Sequence, residues 1–330
     1  MKVIITGATG LLGSNLVKYY MTQSNTKVVA ISRSRDKLEK CFAQYSDNAN
    51  FEYVVQDFSE NFDLIDIASN KFSEVPDIIY HAVGSAEGDV IKNYPTAIIK
   101  PNVCGLINVF DSLVKNQCKK SRVVVFSSVT IYGSSDGGDS IVSEESSSMS
   151  DVLENRNAPY YESKRMLEVI TNAYIREFGI NAVIVRPSTI YGYSKITTNS
   201  AFFSFIKSAI DNKDIVLNKA GLPKRDNLYI DDFVNGMVLL AEKGKSGEVF
   251  NVSSGGNKGN FASVDEIAEM IARIANTCFN RNIKVLYREG NQLKRASGLM
   301  LECKKLESLG WQVLTSLEDG IKKTIEEYIN

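Results

Sequence analysis

An α/β fold, a doubly wound parallel sheet followed by a smaller carboxy-terminal α/β domain, is what this sequence predicts, and three observations predict it. From Val3 to Pro187, apolar runs of strand length alternate with longer segments of helical period. The first run, Val3-Ile4-Ile5, passes through a glycine-spaced turn into a helix-like segment, Leu11 to Met21. At 330 residues the chain is long enough to bury a large core.

Composition narrows the function classes before any motif is read. A formal charge of −1, with acids and bases interspersed, offers no basic field for a nucleic acid or an anionic membrane. The chain enters a strand within two residues and shows no signal-peptide pattern, and no apolar run in the sequence looks long enough to span a bilayer, so a cytoplasmic protein is expected. Five scattered cysteines, an odd number with no Cys-x-x-Cys, read as reduced and mostly buried thiols. His81 is the single histidine, which leaves little for a histidine zinc site or a Ser-His-Asp triad, and no metal is expected.

The turn Gly7-x-x-Gly10-x-x-Gly13, carrying Thr9, Leu11 and Leu12, suits a dinucleotide. Glycines let the backbone turn tightly, and a pyrophosphate can then approach main-chain N–H groups at the positive end of the helix dipole. An ordinary strand-to-helix loop would carry the same three glycines. The second strand, Lys27 to Ser32, ends in Ser32-Arg33-Ser34-Arg35. A hydroxyl followed by arginine suits a ribose 2′-phosphate, where an acid would suit a 2′-hydroxyl. NADP(H) is therefore preferred over NAD(H), although Arg33 and Arg35 also read as solvated loop cations. The third strand, Phe51 to Gln56, ends at Asp57-Phe58, placed to bond adenine with the carboxylate and cover it with the ring; a turn acid is the other reading of Asp57.

The fourth strand, Asp77 to Tyr80, runs into His81-Ala82-Val83-Gly84, small residues that leave room for a cofactor beside a structural His81. A helical segment from about Tyr94 to Lys119, with Asn102 and Gly105, precedes the fifth strand, Arg122 to Phe126. All these strand ends belong on the carboxyl edge of one Rossmann-type sheet. Residues 134 to 159 are rich in Ser, Gly, Asp and Glu and are expected to form a mobile loop over the site.

The fifth strand ends in Ser127-Ser128, and a helix to about Phe178 opens with Tyr160-x-x-x-Lys164. Spacing of four places the phenol and the ammonium on one helix face. Hydride transfer at an alcohol carbon requires a proton to move as well, and a phenol of pKa near 10 is a poor base at neutral pH. Lys164 would favour the phenolate and bond the nicotinamide ribose, while Ser128 would hold the substrate oxygen.

Together these residues resemble the extended short-chain dehydrogenase/reductase family, in its nucleotide-sugar epimerase, dehydratase and reductase branch. The resemblance runs over nearly the whole chain: Gly7-x-x-Gly10-x-x-Gly13, Asp57, His81-Ala-Val-Gly84, Asn102-Val-x-Gly105, Ser128 before Tyr132-Gly133, and Tyr160-x-x-x-Lys164. It continues through Val185-Arg186-Pro187-Ser188-Thr189, Arg225-Asp226 to Asp232, Phe250-Asn251-Val252-Ser253 and Leu309-Gly310-Trp311. The resemblance implies a nucleotide-activated sugar as substrate, Arg225 and Arg295 on its diphosphate, Thr130 and Thr189 beside the sugar, and Pro187 against the cofactor. It further implies residues 1–188 as the dinucleotide-binding domain with 228–253 returning to it, residues 189–330 as the substrate domain, and a homodimer through the helices near 94–119 and 160–178.

The chain also departs from that pattern. Where dehydratases of the family carry Asp-Glu after the catalytic hydroxyl, and decarboxylases a glutamate, this chain has Val129 and Thr130. Reactions needing only hydride and one proton, 4-keto reduction or 4-epimerisation, are thereby preferred, and the NADP-type end of the second strand tilts the choice to reduction. An NADP(H)-sensing regulator without turnover is the other class. Thr189 and Tyr193 replace a usual asparagine and proline.

Overall fold

Lys2–Thr6 forms β1, the middle of the sheet around which the chain winds, and Gly10 begins the crossover into α1 (Leu11–Met21). The computed structural model describes residues 1–69, 75–84, 88–133, 138–147, 155–196, 200–218, 223–288 and 298–329. Alternation continues through β2 (Lys27–Ser32), α2 (Arg35–Phe42), β3 (Phe51–Val55), α3 (Leu64–Ser69) and β4 (Ile78–His81). Helices α4 (Gly88–Asn93) and α5 (Thr96–Lys115) lead to β5 (Arg122–Phe126), β6 (Ser140–Val142), α6 (Ala158–Phe178) and β7 (Ala182–Pro187).

Beyond β7 the elements shorten: β8 (Thr189–Tyr191), α7 (Ala201–Ile210), β9 (Ile215–Leu217), β10 (Lys224–Tyr229), α8 (Ile230–Lys243) and β11 (Val249–Val252). The chain closes with β12 (Phe261–Ser263), α9 (Val264–Cys278), β13 (Val285–Tyr287), β14 (Leu299–Leu301), α10 (Lys304–Glu307) and α11 (Leu317–Ile329).

Seven strands form one sheet in the order β11-β7-β5-β4-β1-β2-β3, and every neighbouring pair is parallel. Helices cover both faces, so the inner strands are apolar on both sides: Val3 and Ile5 enter one buried cluster, Ile4 the other. Strand order reverses between β4 and β1, which opens a crevice at the carboxyl ends of those strands. The doubly wound parallel sheet expected from the sequence is the fold.

β8, β10 and β12 make a small three-stranded sheet, while β9 pairs with β13 and β6 with β14. The return to the large sheet is made by α8, packed on α1 and β5, and by β11; Leu228 and Tyr229 pair instead with Ile190 and Tyr191 in the small sheet.

Three expectations need correction. The long helix ends at Lys115 rather than Lys119, because Gln117 turns to φ 56° and the Cys118 N–H reaches back to the Leu113 carbonyl at 2.8 Å. That helix, α5, is also long and apolar enough to cross a membrane by length and composition; here its buried face, including Leu106, Val109 and Phe110, packs into the core. Part of the stretch 134–159 is strand: Ser140–Val142 pairs with Leu299–Leu301, a partner too distant in sequence for local composition to disclose. Residues 134–137 and 148–154 lie outside the described residues. Of the cysteines, Cys41, Cys118 and Cys303 are buried, whereas Cys104 and Cys278 are exposed; all five are free.

Candidate active site

The glycine turn sits at the crevice. Gly7 has φ 64°, a conformation that glycine adopts without strain, and a Cβ there would press into the Ala82 carbonyl group. A Cβ on Gly13 would come within 2.6 Å of the Gly7 oxygen and 2.7 Å of the Ala8 Cα, so this glycine lets α1 pack onto the turn. Gly10, the N-cap of α1, is exposed and supplies no side-chain cap, so the helix presents the first-turn N–H groups of Leu11, Leu12 and Gly13 without a side-chain acceptor. That cradle fits a phosphate: backbone donors, a dipole of the right sign and no side chain in the way.

At the end of β2, the Ser32 hydroxyl is buried and meets the Thr9 hydroxyl at 2.9 Å. Arg33 is exposed, and its charge helps to hold the Asp57 carboxyl below the usual range, after the larger effect of hydrogen bonds from Ser59. Asp57 Oδ1 accepts from the Ser59 N–H at 2.8 Å and from its hydroxyl at 2.7 Å, the turn-acid geometry. Phe58 corrects an expectation. Its ring is buried against Phe62, His81 and the Cα side of Gly105 in α5, so it packs the core rather than lying free to cover an adenine.

His81 is fully buried at the end of β4, with Nδ1 3.2 Å from the Thr6 hydroxyl. Burial, reinforced by the Lys164 charge, pulls the imidazole down to about 3, so it is neutral at physiological pH and structural in role. Gly84, at φ 139°, leaves room for Asn102 Oδ1 and Lys164 Nζ, which a Cβ would meet at 2.8 and 3.0 Å. Asn102 donates to the Ser163 hydroxyl at 2.9 Å, and its buried Oδ1 has no hydrogen-bond partner among the described residues. Ser163 in turn donates to the Tyr160 carbonyl at 2.9 Å, tying α5 to the first turn of α6.

Ser128, Tyr160 and Lys164 converge. Lys164 Nζ donates to the Phe126 carbonyl at 2.8 Å and the Val83 carbonyl at 3.4 Å, and lies 6.0 Å from the Tyr160 ring centre. Burial draws this ammonium down to about 8. Burial raises the Tyr160 phenol, and the Ser128 side chain offsets this in part. Ser128 Oγ accepts from the Thr130 N–H at 3.2 Å and the Thr130 hydroxyl at 3.0 Å. The Thr130 hydroxyl, expected beside a substrate, is therefore engaged with Ser128.

A buried network behind these groups was not read from the sequence. Ser127 donates to Glu168 Oε1 at 2.6 Å, and Arg186 closes on the same carboxylate. Arg186 also donates to the Tyr132 hydroxyl at 2.7 Å and to the Glu144 carbonyl at 3.1 Å, and Tyr132 donates to Asn251 at 2.8 Å. Thus β5, α6, β7 and β11 are fastened together around the Ser128 end. The signal available was Lys164-x-x-x-Glu168, an acid one further turn along the same helix face as Tyr160 and Lys164.

The remaining candidates come later in the chain. Pro187 ends β7 opposite Val252, and Thr189, half-buried, opens β8 opposite Asn227. Arg225 is exposed on β10, while its neighbour Asp226 is buried and accepts from Ser254, from the Gly256 N–H and from the Leu301 N–H. Arg295 lies outside the described residues. Tyr193, in place of a proline, packs its ring 4.6 Å from Tyr328 in α11.

Comparisons with known proteins give the chain's family and relatives. The model of the NAD dependent epimerase/dehydratase family matches residues 3–253. The dTDP-glucose 4,6-dehydratase of Salmonella typhimurium is 24% identical, covering 100% of this chain and 93% of the relative. UDP-glucuronic acid decarboxylase 6 of Arabidopsis thaliana is 27% identical, covering 99% and 89%. Among solved structures, UDP-glucuronic acid 4-epimerase of Bacillus cereus, in complex with UDP-glucuronic acid and NAD, superimposes with a TM-score of 0.78 at 24% identity, covering 100% and 99%.

Proposed function

The chain belongs to the NAD dependent epimerase/dehydratase family, and from that premise we propose that it is a nucleotide-sugar oxidoreductase acting at the sugar C4 position. The observation that supports this most directly is the convergence of Ser128, Tyr160 and Lys164 beside the β4 and β5 ends. When bound, the nicotinamide dinucleotide supplies or accepts the hydride. Gly7, Thr9, Gly10, Leu11, Leu12 and Gly13 would hold its pyrophosphate, Asp57 its adenine, Asn102, Lys164 and Tyr160 the nicotinamide side, with Ala82, Gly84 and Pro187 leaving room for it.

In the direction of reduction, Tyr160 gives its hydroxyl proton to the C4 carbonyl oxygen while Ser128 donates a hydrogen bond to that oxygen. Lys164 stabilises the phenolate that remains. Arg225 and Arg295 would bind the substrate diphosphate as planar cations, and Thr189 would line the sugar, with residues 189–330 as the substrate lobe against the 1–188 domain.

Ser32 and Arg33 favour NADP(H), and with it reduction of a 4-keto nucleotide sugar, because cells keep that dinucleotide reduced. A second reading, 4-epimerisation with a retained cofactor, is favoured by the likeness to a 4-epimerase solved with NAD; Val129 and Thr130, standing where a second acid would be needed for dehydration, suit either reaction. Incubation with a 4-keto-6-deoxy nucleotide sugar and NADPH tests the choice: loss of nicotinamide absorbance supports reduction, and interconversion of sugar epimers without net loss supports epimerisation. We also propose a homodimer through α5 and α6, whose outward Ile99, Met166 and Val169 are exposed in the single chain.

A further inference from the structure

Asn251 is fully buried on β11, and both ends of its carboxamide are engaged. Nδ2 donates to the carbonyl of Val142, on β6, at 3.3 Å and to that of Glu302, the residue after β14, at 3.1 Å. Carbonyls only accept, which fixes the orientation of the amide and leaves Oδ1 for the Tyr132 hydroxyl at 2.8 Å. Arg186 can only donate to that hydroxyl, so its one hydrogen goes to Asn251. The Asn251 N–H, in turn, reaches Glu144 Oε1 at 2.7 Å. One residue of the edge strand thus joins the end of the Ser128 turn to both strands of the β6–β14 pair.

Tyr132 closes the single 3₁₀ turn that Ser128 begins. Inside that turn the Ile131 N–H reaches the Ser128 carbonyl at 3.4 Å and the Gly133 N–H the Thr130 carbonyl at 3.2 Å, long bonds in a helix type whose geometry is poor. Its place is therefore set from outside, by Arg165 on the Ile131 carbonyl at 3.1 Å and by whatever holds Tyr132. We propose that Asn251 is a positioning residue for Ser128: through Tyr132 it sets where the Ser128 hydroxyl stands, and it ties that hydroxyl to β6 and β14. A displacement of about 1 Å at a reacting group can cost a hundredfold in rate, so an anchor one turn away matters. The part Ser128 plays in the reaction rests on the C4 reading above; the anchoring of its turn does not.

Two variants of the full chain test this. Asn251→Leu removes the carboxamide and keeps a branched side chain; Tyr132→Phe removes only the hydroxyl and keeps the ring, so it carries the test where the first fails to fold. Arg186 retains Glu168 and the Glu144 carbonyl in both. The first readout is backbone hydrogen exchange of the free protein. Relative to the amides of β1, exchange at Thr130, Ile131 and Gly133 is expected to quicken about tenfold in both variants, the effect of one lost hydrogen bond. Only Asn251→Leu should also quicken Glu302, whose N–H reaches the Val142 carbonyl at 2.8 Å. The second readout is turnover of a nucleotide sugar: each variant should lower kcat about tenfold with dinucleotide affinity unchanged. In a Ser128→Ala background, with no hydroxyl left to misplace, the further loss should be under about twofold. A merely structural Asn251 would cost the same in either background. The inference is overturned by unchanged exchange at 130–133 relative to β1, by an unchanged kcat, or by a loss as large with Ser128→Ala as without it. Failure of the C4 reading has its own signature, a wild type that turns over no nucleotide sugar; exchange then decides by itself whether Asn251 holds the Ser128 turn.

Discussion

Arg186 and Glu168 meet as a two-bonded ion pair in the wall behind Ser128, Nε to Oε1 at 3.0 Å and Nη2 to Oε2 at 2.8 Å. Both side chains are largely buried, so removing one leaves the other charge without its partner in a medium that solvates it poorly. Arg186→Met is expected to destabilise the fold by about 3–5 kcal/mol. The double change Arg186→Met with Glu168→Met should recover much of that loss, and denaturant unfolding of the three proteins measures it.

Gly13 permits the contact between α1 and the turn that precedes it. Gly13→Ala would bring a Cβ against backbone atoms of Gly7 and Ala8, which cannot move aside as a side chain end could. A loss of about 1–3 kcal/mol in stability is expected from the overpacking. Dinucleotide affinity should fall with it, because the donors of the first turn shift; thermal unfolding and titration with NADP(H) read the two effects separately.

Tyr160→Phe removes the proton that C4 chemistry needs and leaves the ring that packs α6. Turnover should fall by at least about a hundredfold while dinucleotide affinity and melting temperature stay near those of the wild type. A protein that only sensed NADP(H) would behave identically with either residue at 160.

Lys164 titrates near 8 in the folded chain, against 10.5 when free. Reduction requires the Tyr160 proton and the Lys164 charge together, so kcat/KM is expected to fall as pH rises through about 8. Stability moves the opposite way. Folding disfavours the charged amine, so the penalty is fully present below about 8 and fades as pH rises toward 10.5. A rate profile flat to pH 10 would contradict the role given to this lysine.

Much of the site was legible because it is local. A strand, a glycine turn and a helix follow one another within Lys2–Met21, and Tyr160 and Lys164 share a helix face by their spacing alone. The alternation of strands and helices likewise implies a parallel sheet, and with it the edge on which their loops meet. The sequence alone therefore determined the parallel-sheet fold, the edge on which its loops meet and the helix face that Tyr160 and Lys164 share.

Tertiary structure decided whatever depends on partners far along the chain. Phe58 turns inward because α5 offers it a glycine at 105, Ser140–Val142 becomes a strand because Leu299–Leu301 comes alongside, and Glu168 acquires meaning only when β7 brings Arg186 to it. The reason is physical: helix and strand periods follow from backbone geometry, which neighbouring residues share, whereas the burial of a ring, a charge or a hydroxyl is fixed by which other surface folds over it.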